Sequence, residues 1–123
     1  MTEINRFARG RGGEDEAADF LARSGLKILE RNFRCPGGEI DIVAGDGKTV
    51  VFVEVRSRSA KGFGGPEESI GGAKQRKILR AAQWYLKKRG FENSSARIDV
   101  VAIRWNGEEP EINWIVNAIE ARS

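Results

Sequence analysis

The stretch "GEIDIVAGDGKTVVFVEVRSR", Gly38 to Arg58, decides how this chain folds. Two runs rich in Val and Ile flank Gly45-Asp46-Gly47-Lys48, which reads as a β-hairpin with strands over Glu39–Ala44 and Thr49–Arg56. Both strands carry acids among their apolar residues: Asp41 stands between two isoleucines and Glu54 between two valines. Side chains alternate along a strand, so Glu39, Asp41 and Val43 share one face, with Ile40 and Ile42 on the other. Phe52, Glu54 and Arg56 share a face of the second strand. If Ala44 pairs with Thr49, Asp41 faces Phe52, and Asp41 and Glu54 are diagonal neighbours about 7–8 Å apart. Lengthening the turn by two residues sets them directly opposite, whereas a one-residue slip breaks the apolar pattern.

Carboxylates crowded on a partly buried face repel one another and lose hydration, which costs free energy unless they are protonated, paired or neutralised. Two readings meet that requirement. In one, Arg56 anchors a cross-strand salt-bridge cluster. In the other, a divalent cation sits among the acids.

Upstream of the hairpin, Ala17, Ala18, Phe20 and Leu21 recur at helical spacing between Gly13 and Ser24, and Gly25 is the stop. Glu14 precedes Ala17, Ala18 and Leu21 by helical intervals, so it falls on the apolar stripe, while Asp15 and Asp19 point away. As a first-turn acid it also suits the helix dipole. Leu26–Phe33 reads as a strand, and Cys35-Pro36-Gly37-Gly38 as the turn after it. Downstream, "SRSAKGFGGPEESIGG" reads as an exposed loop. A second helix runs from Ala73 to Arg89 and stops at Gly90. Its apolar stripe is Ile78, Leu79, Ala82, Tyr85 and Leu86, with Lys74, Arg76, Lys77, Arg80, Lys87, Lys88 and Arg89 off it. A strand over Arg97–Arg104 and a short one around Ile112–Val116 complete the order α-β-β-β-α-β-β. That order predicts a single domain over residues 1–123, an α/β or α+β sandwich with a mixed β-sheet.

Composition narrows the chemistry. The chain has no histidine and one cysteine, so His-ligated zinc, Ser-His-Asp triads, zinc ribbons and internal disulfides are excluded. An ion held here must have oxygen ligands, which points to magnesium or manganese. The opening "MTEINRFARGRGG" has no apolar run of the secretory kind, and no stretch is long enough to span a bilayer, so a reducing cytoplasm is the expected compartment. Cys35 reads as a turn residue, and Trp84, Trp105 and Trp114 as core or interface anchors. Asp99, in "RIDVVAI", fits either the polar cluster or a strand cap. The net charge of +3 is unevenly spread: residues 56–97 hold 11 basic against 3 acidic residues, a surplus of eight. Such a segment attracts polyanions or forms a solvated basic helix.

Glu14, Asp41 and Glu54-Val55-Arg56 resemble the signature of the PD-(D/E)XK nucleases. The wider frame, "GEDEAADFL", "ILERNFR", "GEIDIVA", "VFVEVRSR", "FGGPEESIGGAKQRKI" and "ARIDVVAI", resembles the YraN-like bacterial proteins over nearly the whole chain. Archaeal Holliday-junction resolvases and type II restriction endonucleases are relatives of that family by fold. The resemblance implies an α/β restriction-endonuclease-like core, a central mixed β-sheet flanked by helices, and a metal-dependent nuclease acting on DNA, branched or damaged DNA included. It implies that Asp41 and Glu54 bind Mg2+ or Mn2+, with the Val55 carbonyl and Glu14 completing the ligand set. Glu39 has no ligand role in that pattern.

Metal-assisted phosphodiester hydrolysis follows, in which the ion activates water and offsets charge on the scissile phosphate. Arg56 stands where active nucleases usually carry lysine; it cannot act as a base but can stabilise charge. Lys74 matches a basic position on the helix after the motif. The loop residues Arg58 and Lys61, with Lys74, Arg76, Lys77 and Arg80, are expected to track a nucleic-acid backbone. Resolvase-type relatives imply a homodimer. Two other outcomes stand beside catalysis: a nucleic-acid-binding module without turnover, and a protein-interaction domain whose acids only pair with Arg56.

Overall fold

A computed structural model of the chain describes residues 13–59 and 70–119. Helix α1 (Glu14–Arg23) leads into strands β1 (Lys27–Cys35), β2 (Gly38–Asp46) and β3 (Thr49–Ser59). Helix α2 (Gly72–Arg89) then precedes β4 (Ser95–Asn106) and β5 (Glu109–Ile119). The five strands lie in one sheet in the order β1-β2-β3-β4-β5. Only β3 and β4 are parallel, joined by the crossover through α2, so the sheet is mixed. Of the two architectures that the order of elements allows this is the α/β one, with strands longer at their ends than the apolar runs suggest.

Each helix covers one face of the sheet. Ala17, Ala18 and Leu21 of α1 pack with Ile42, Ala44, Val51, Val53, Val101 and Ile103. Ile78, Ala81, Ala82 and Tyr85 of α2 pack with Phe33, Val43, Phe52, Ile98 and Val100 on the other side. Burying each large apolar side chain stabilises the fold by about 1.5–3 kcal/mol before entropy, so the two layers hold the helices firmly against the sheet. Tyr85 stacks edge-on against Phe33 and Phe52 at centroid distances of 5.1 and 5.6 Å. Gly90 ends α2 in the left-handed region, at φ 76.

The hairpin differs from the first expectation in register. Asp46 pairs with Thr49 across a two-residue turn, Gly47-Lys48, so Val43 rather than Asp41 lies opposite Phe52. Gly47 has φ 61, a conformation that costs glycine little and that lets the strands run two residues closer to the turn. Continued past Ile42–Val53, this register sets Asp41 across from Glu54.

Strict alternation also fails in β2. Ile40 packs in the α2 layer with its partner Phe33, whereas Ile42 packs in the α1 layer. Across from this break, Asn32 has φ 55, which interrupts the extended backbone of β1 between Arg31 and Phe33.

Candidate functional site

The sheet forks at this break. β2 and β3 pair from Asp46–Thr49 to Ile42–Val53 and no further. Beyond it, Ile40, Glu39 and Gly38 stay with β1, while Glu54 to Ser59 stay with β4. Asp41 stands in the crotch. Its Oδ2 accepts the Val55 N–H at 2.8 Å, so a side chain serves a donor that the neighbouring strand no longer reaches.

Glu54 lies across the crotch, on the face that α2 covers, with a side chain only 12% exposed. Burial, the Asp41 charge and a hydrogen bond between the two carboxyls raise its pKa to about 7, and Lys74 opposes the rise. The Lys74 Nζ sits 3.6 Å from Glu54 Oε2. The first turn of α2 thus delivers the cation that this acid meets.

Glu14 arrives from the opposite layer, at the start of α1. Burial and the Asp41 charge raise its pKa, while Arg31 and Asn32 hold it down. Arg31 Nη2 lies 3.6 Å from Glu14 Oε1 and 2.8 Å from Asp15 Oδ1. The Asn32 amide, turned with its nitrogen toward the carboxylate, donates to Glu14 at 3.1 and 3.3 Å. Gly13 makes this approach feasible, since a Cβ there would stand 2.7 Å from Ile103 Cδ1. Acids from both sides of the sheet therefore feel one hub, Asp41, because the fork opens a passage between the layers.

The expected constellation is thus brought together in part. Glu14, Asp41 and Glu54 are electrostatically linked, and Val55 joins through its N–H. Among the described residues, no three acids or thiols are drawn close enough to enclose an ion as they stand. Nor does Arg56 pair with any of them: among the described residues it makes no ion pair, and Lys74 is the cation beside Glu54. The reading in which Arg56 anchors the acid cluster is corrected accordingly. Glu39 pairs outward with Arg34 at 3.4 Å, away from the fork.

Beside the fork, a cleft of about 570 Å³ runs between α2 and the β1–β2 turn, lined by Arg34, Glu39, Lys74, Lys77, Ile78 and Arg80 among others. Lys74 belongs to both cleft and fork. The walls approach closely because the turn has no side chains at two places: a Cβ on Gly38 would stand 2.5 Å from the Lys77 carbonyl oxygen, and one on Gly37 would stand 2.8 Å from Arg80 Cδ. Of the expected nucleic-acid contacts, Lys74, Lys77 and Arg80 gather here, while Arg76 is exposed elsewhere on α2. Arg58 is exposed and donates to the Ser57 carbonyl, and Lys61 lies outside the described residues.

Sequence reasoning missed Arg31, Asn32 and Arg34. Asn32 carried a signal, since asparagine within a strand-like run tolerates a positive φ. Asp99 resolves as a strand cap: fully buried, it accepts from Arg97 Nε at 3.1 Å, Trp114 Nε1 at 2.9 Å and the Asn117 N–H at 2.8 Å. These bonds close the irregularity between Ile98 and Val100, where β4 and β5 shift register. Cys35, expected in the turn, is instead the last residue of β1, paired with Gly38, and its thiol lies 3.5 Å from the Gly38 carbonyl. Trp105 is a core residue as expected, whereas Trp84 is 44% exposed and anchors no core. No helix among the described residues is long and apolar enough to cross a membrane.

Proteins similar to this chain match it over most of its length. The chain is 49% identical to a UPF0102 protein of Syntrophotalea carbinolica over 115 residues, 94% of each chain. It is 50% identical to one of Geobacter metallireducens over 117 residues, covering 95% of this chain and 96% of the relative. A third, from Janthinobacterium, is 51% identical over 112 residues, 91% of this chain and 87% of the relative. The profile described as Uncharacterised protein family UPF0102 matches residues 13–103, a span that includes α1, the fork and the basic cleft. With that match and those relatives, the chain belongs to the UPF0102 family.

Proposed function

We propose that this protein is a divalent-metal-dependent nuclease that hydrolyses phosphodiester bonds in DNA, with branched or damaged DNA as the substrate class. The observation that carries this reading is the meeting of Asp41 and Glu54 at the fork of the sheet, with the basic cleft at their side. Two carboxyls held so close, one of them with its pKa near 7, form a site in which full ionisation is unfavourable until a cation arrives. The side chains that meet at the fork, Asp41 and Glu54, offer carboxylate oxygens, the donors that suit Mg2+ or Mn2+.

Asp41 and Glu54 would hold the ion, and the Val55 carbonyl and Glu14 are candidates to complete its ligands. A bound Mg2+ or Mn2+ supplies Lewis acidity toward the scissile phosphate. The residues of this chain do the remaining work. Lys74, which sits 3.6 Å from Glu54, would be free to meet phosphate were that carboxylate to hold the ion. Lys77, Arg80 and Arg34 bind flanking phosphates through both walls of the cleft. Arg56, which cannot lose its proton, contributes only positive charge to the developing pentacovalent phosphate. A homodimer suits a substrate with two symmetric strands, and sedimentation at micromolar concentration tests it.

A second reading is a nucleic-acid-binding module of the same fold without turnover. The Lys74–Glu54 ion pair favours it, since an acid already neutralised has less need of metal. Cleavage of forked, four-way and duplex DNA with Mg2+ and Mn2+ separates the two, comparing wild type with Asp41→Asn. Metal-dependent cleavage lost in the variant supports the nuclease. DNA binding without cleavage by the wild type selects the binding module.

A further inference from the structure

We propose that the outer flank of α2, centred on Trp84, is a stacking platform for an unpaired base of single-stranded DNA. The inference rests on the nucleic-acid reading of the cleft and does not need cleavage. Trp84 is the most exposed of the three tryptophans. Trp105 is buried with its indole N–H donated to Ser57 Oγ at 2.7 Å, and Trp114 donates to Asp99 and meets Phe20 edge-on at 6.0 Å. Trp84 has no ring or hydrogen-bond partner among the described residues, and 44% of it faces outward.

Its neighbours are cations. Lys77 and Arg80 precede it by seven and four residues, and Lys87 and Lys88 follow by three and four, so helical spacing sets all of them on one flank. At about 1.5 Å rise per residue, Arg80 and Trp84 stand about 6 Å apart along the axis. Arg80 lies against Gly37 in the cleft wall, so Trp84 sits one turn beyond the cleft's end. Helix α2 has no acidic residue to balance this flank. A purely apolar partner would have to desolvate those cations with nothing in return. A single strand satisfies both features: phosphates meet the cations while a base covers the indole. A duplex offers no free base face, so the platform selects unpaired nucleotides.

The test titrates the full chain, in EDTA, with a short oligothymidylate and with a blunt duplex, reading tryptophan emission and binding anisotropy. The expected result is quenching by the single strand. Trp84→Ala should weaken single-strand binding about tenfold and leave duplex binding within about twofold, and Trp84→Phe should recover most of the loss. A circular-dichroism melt of each variant verifies folding. Unchanged single-strand affinity in Trp84→Ala, emission that ignores the oligonucleotide, or a variant that loses only self-association would overturn the platform. Cleavage assays with Mg2+ keep the two ideas apart. Quenching without cleavage retains the platform and sinks the nuclease; cleavage without quenching does the reverse.

Discussion

The Asp41 carboxylate accepts the Val55 N–H at 2.8 Å, just past the last paired residues of β2 and β3. One oxygen thus caps an orphaned strand donor while the side chain stays beside Glu54. Structure and candidate chemistry share a group here. Asp41→Ala leaves the half-buried N–H without its partner and should cost about 1–3 kcal/mol. Asp41→Asn keeps an acceptor and removes repulsion on Glu54, so its urea midpoint should match or exceed the wild type at pH 8. Equal loss in both variants would show that the hydrogen bond is not what matters.

Stability should fall as pH rises through the neutral range. Glu54 titrates near 7 when folded, against an ordinary value of 4.5, so the folded state binds the extra proton between those limits. The protonated form is favoured by folding; its contribution is complete below about 4.5 and is lost as pH passes 7. The full swing is on the order of 3 kcal/mol. Urea unfolding at a series of pH values measures it. Glu54→Gln should flatten the profile, and Mg2+ should restore wild-type stability at the alkaline end if the two acids take the ion.

Gly38 sets the distance between the turn and α2. Alanine there would place a methyl 2.5 Å from the Lys77 carbonyl oxygen, which is backbone and cannot swing aside. Gly38→Ala should cost about 1–3 kcal/mol and widen the cleft. Thermal melts check the first effect and DNA affinity the second, since Lys74, Lys77 and Arg80 would move away from Arg34.

Asp99 is a structural acid whose oxygens are taken up by Arg97, Trp114 and the Asn117 N–H. Removing a fully buried carboxylate that holds Arg97, Trp114 and the Asn117 amide should cost about 3 kcal/mol or more. Hydrogen exchange of Asp99→Ala should show β5 losing protection first, with cleavage or binding per folded molecule unchanged.

Binding through the cleft should be strongly salt-dependent. Each alanine replacing Lys77, Arg80 or Arg34 should lower the slope of log affinity against log salt by about one. Lys74→Ala should lower it too, and should also raise the Glu54 pKa, because the ammonium 3.6 Å away opposes that rise. A flat salt response in the wild type would remove nucleic acid as the ligand.

Local signals were enough for the elements and for the three acids whose charges meet near the fork. Gly25 and Gly90 stop the two helices where the apolar spacing ends, and both lie at positive φ. Glu14 sits on the inward stripe of α1 as its spacing requires. Asn32 and Trp84 were harder to read. One acts only because a bend in β1 aims it at another helix, and the other looks like any helical aromatic until its surroundings are known.

By itself the sequence determined the order of helices and strands, the apolar face of each helix, and the presence of three inward acids upstream of a basic helix. Those properties depend on spacing within a dozen residues, which periodicity reports directly. Tertiary structure decided the two-residue turn that brings Asp41 across from Glu54, the forking of β2 from β3, and the choice of Lys74 over Arg56 as the cation at the site. Each of these depends on how distant segments pack: a hairpin's register follows its turn, and the reach of Lys74 follows from α2 resting on the bare backbone of Gly38. A contact between elements far apart in the chain leaves no periodic trace in either one.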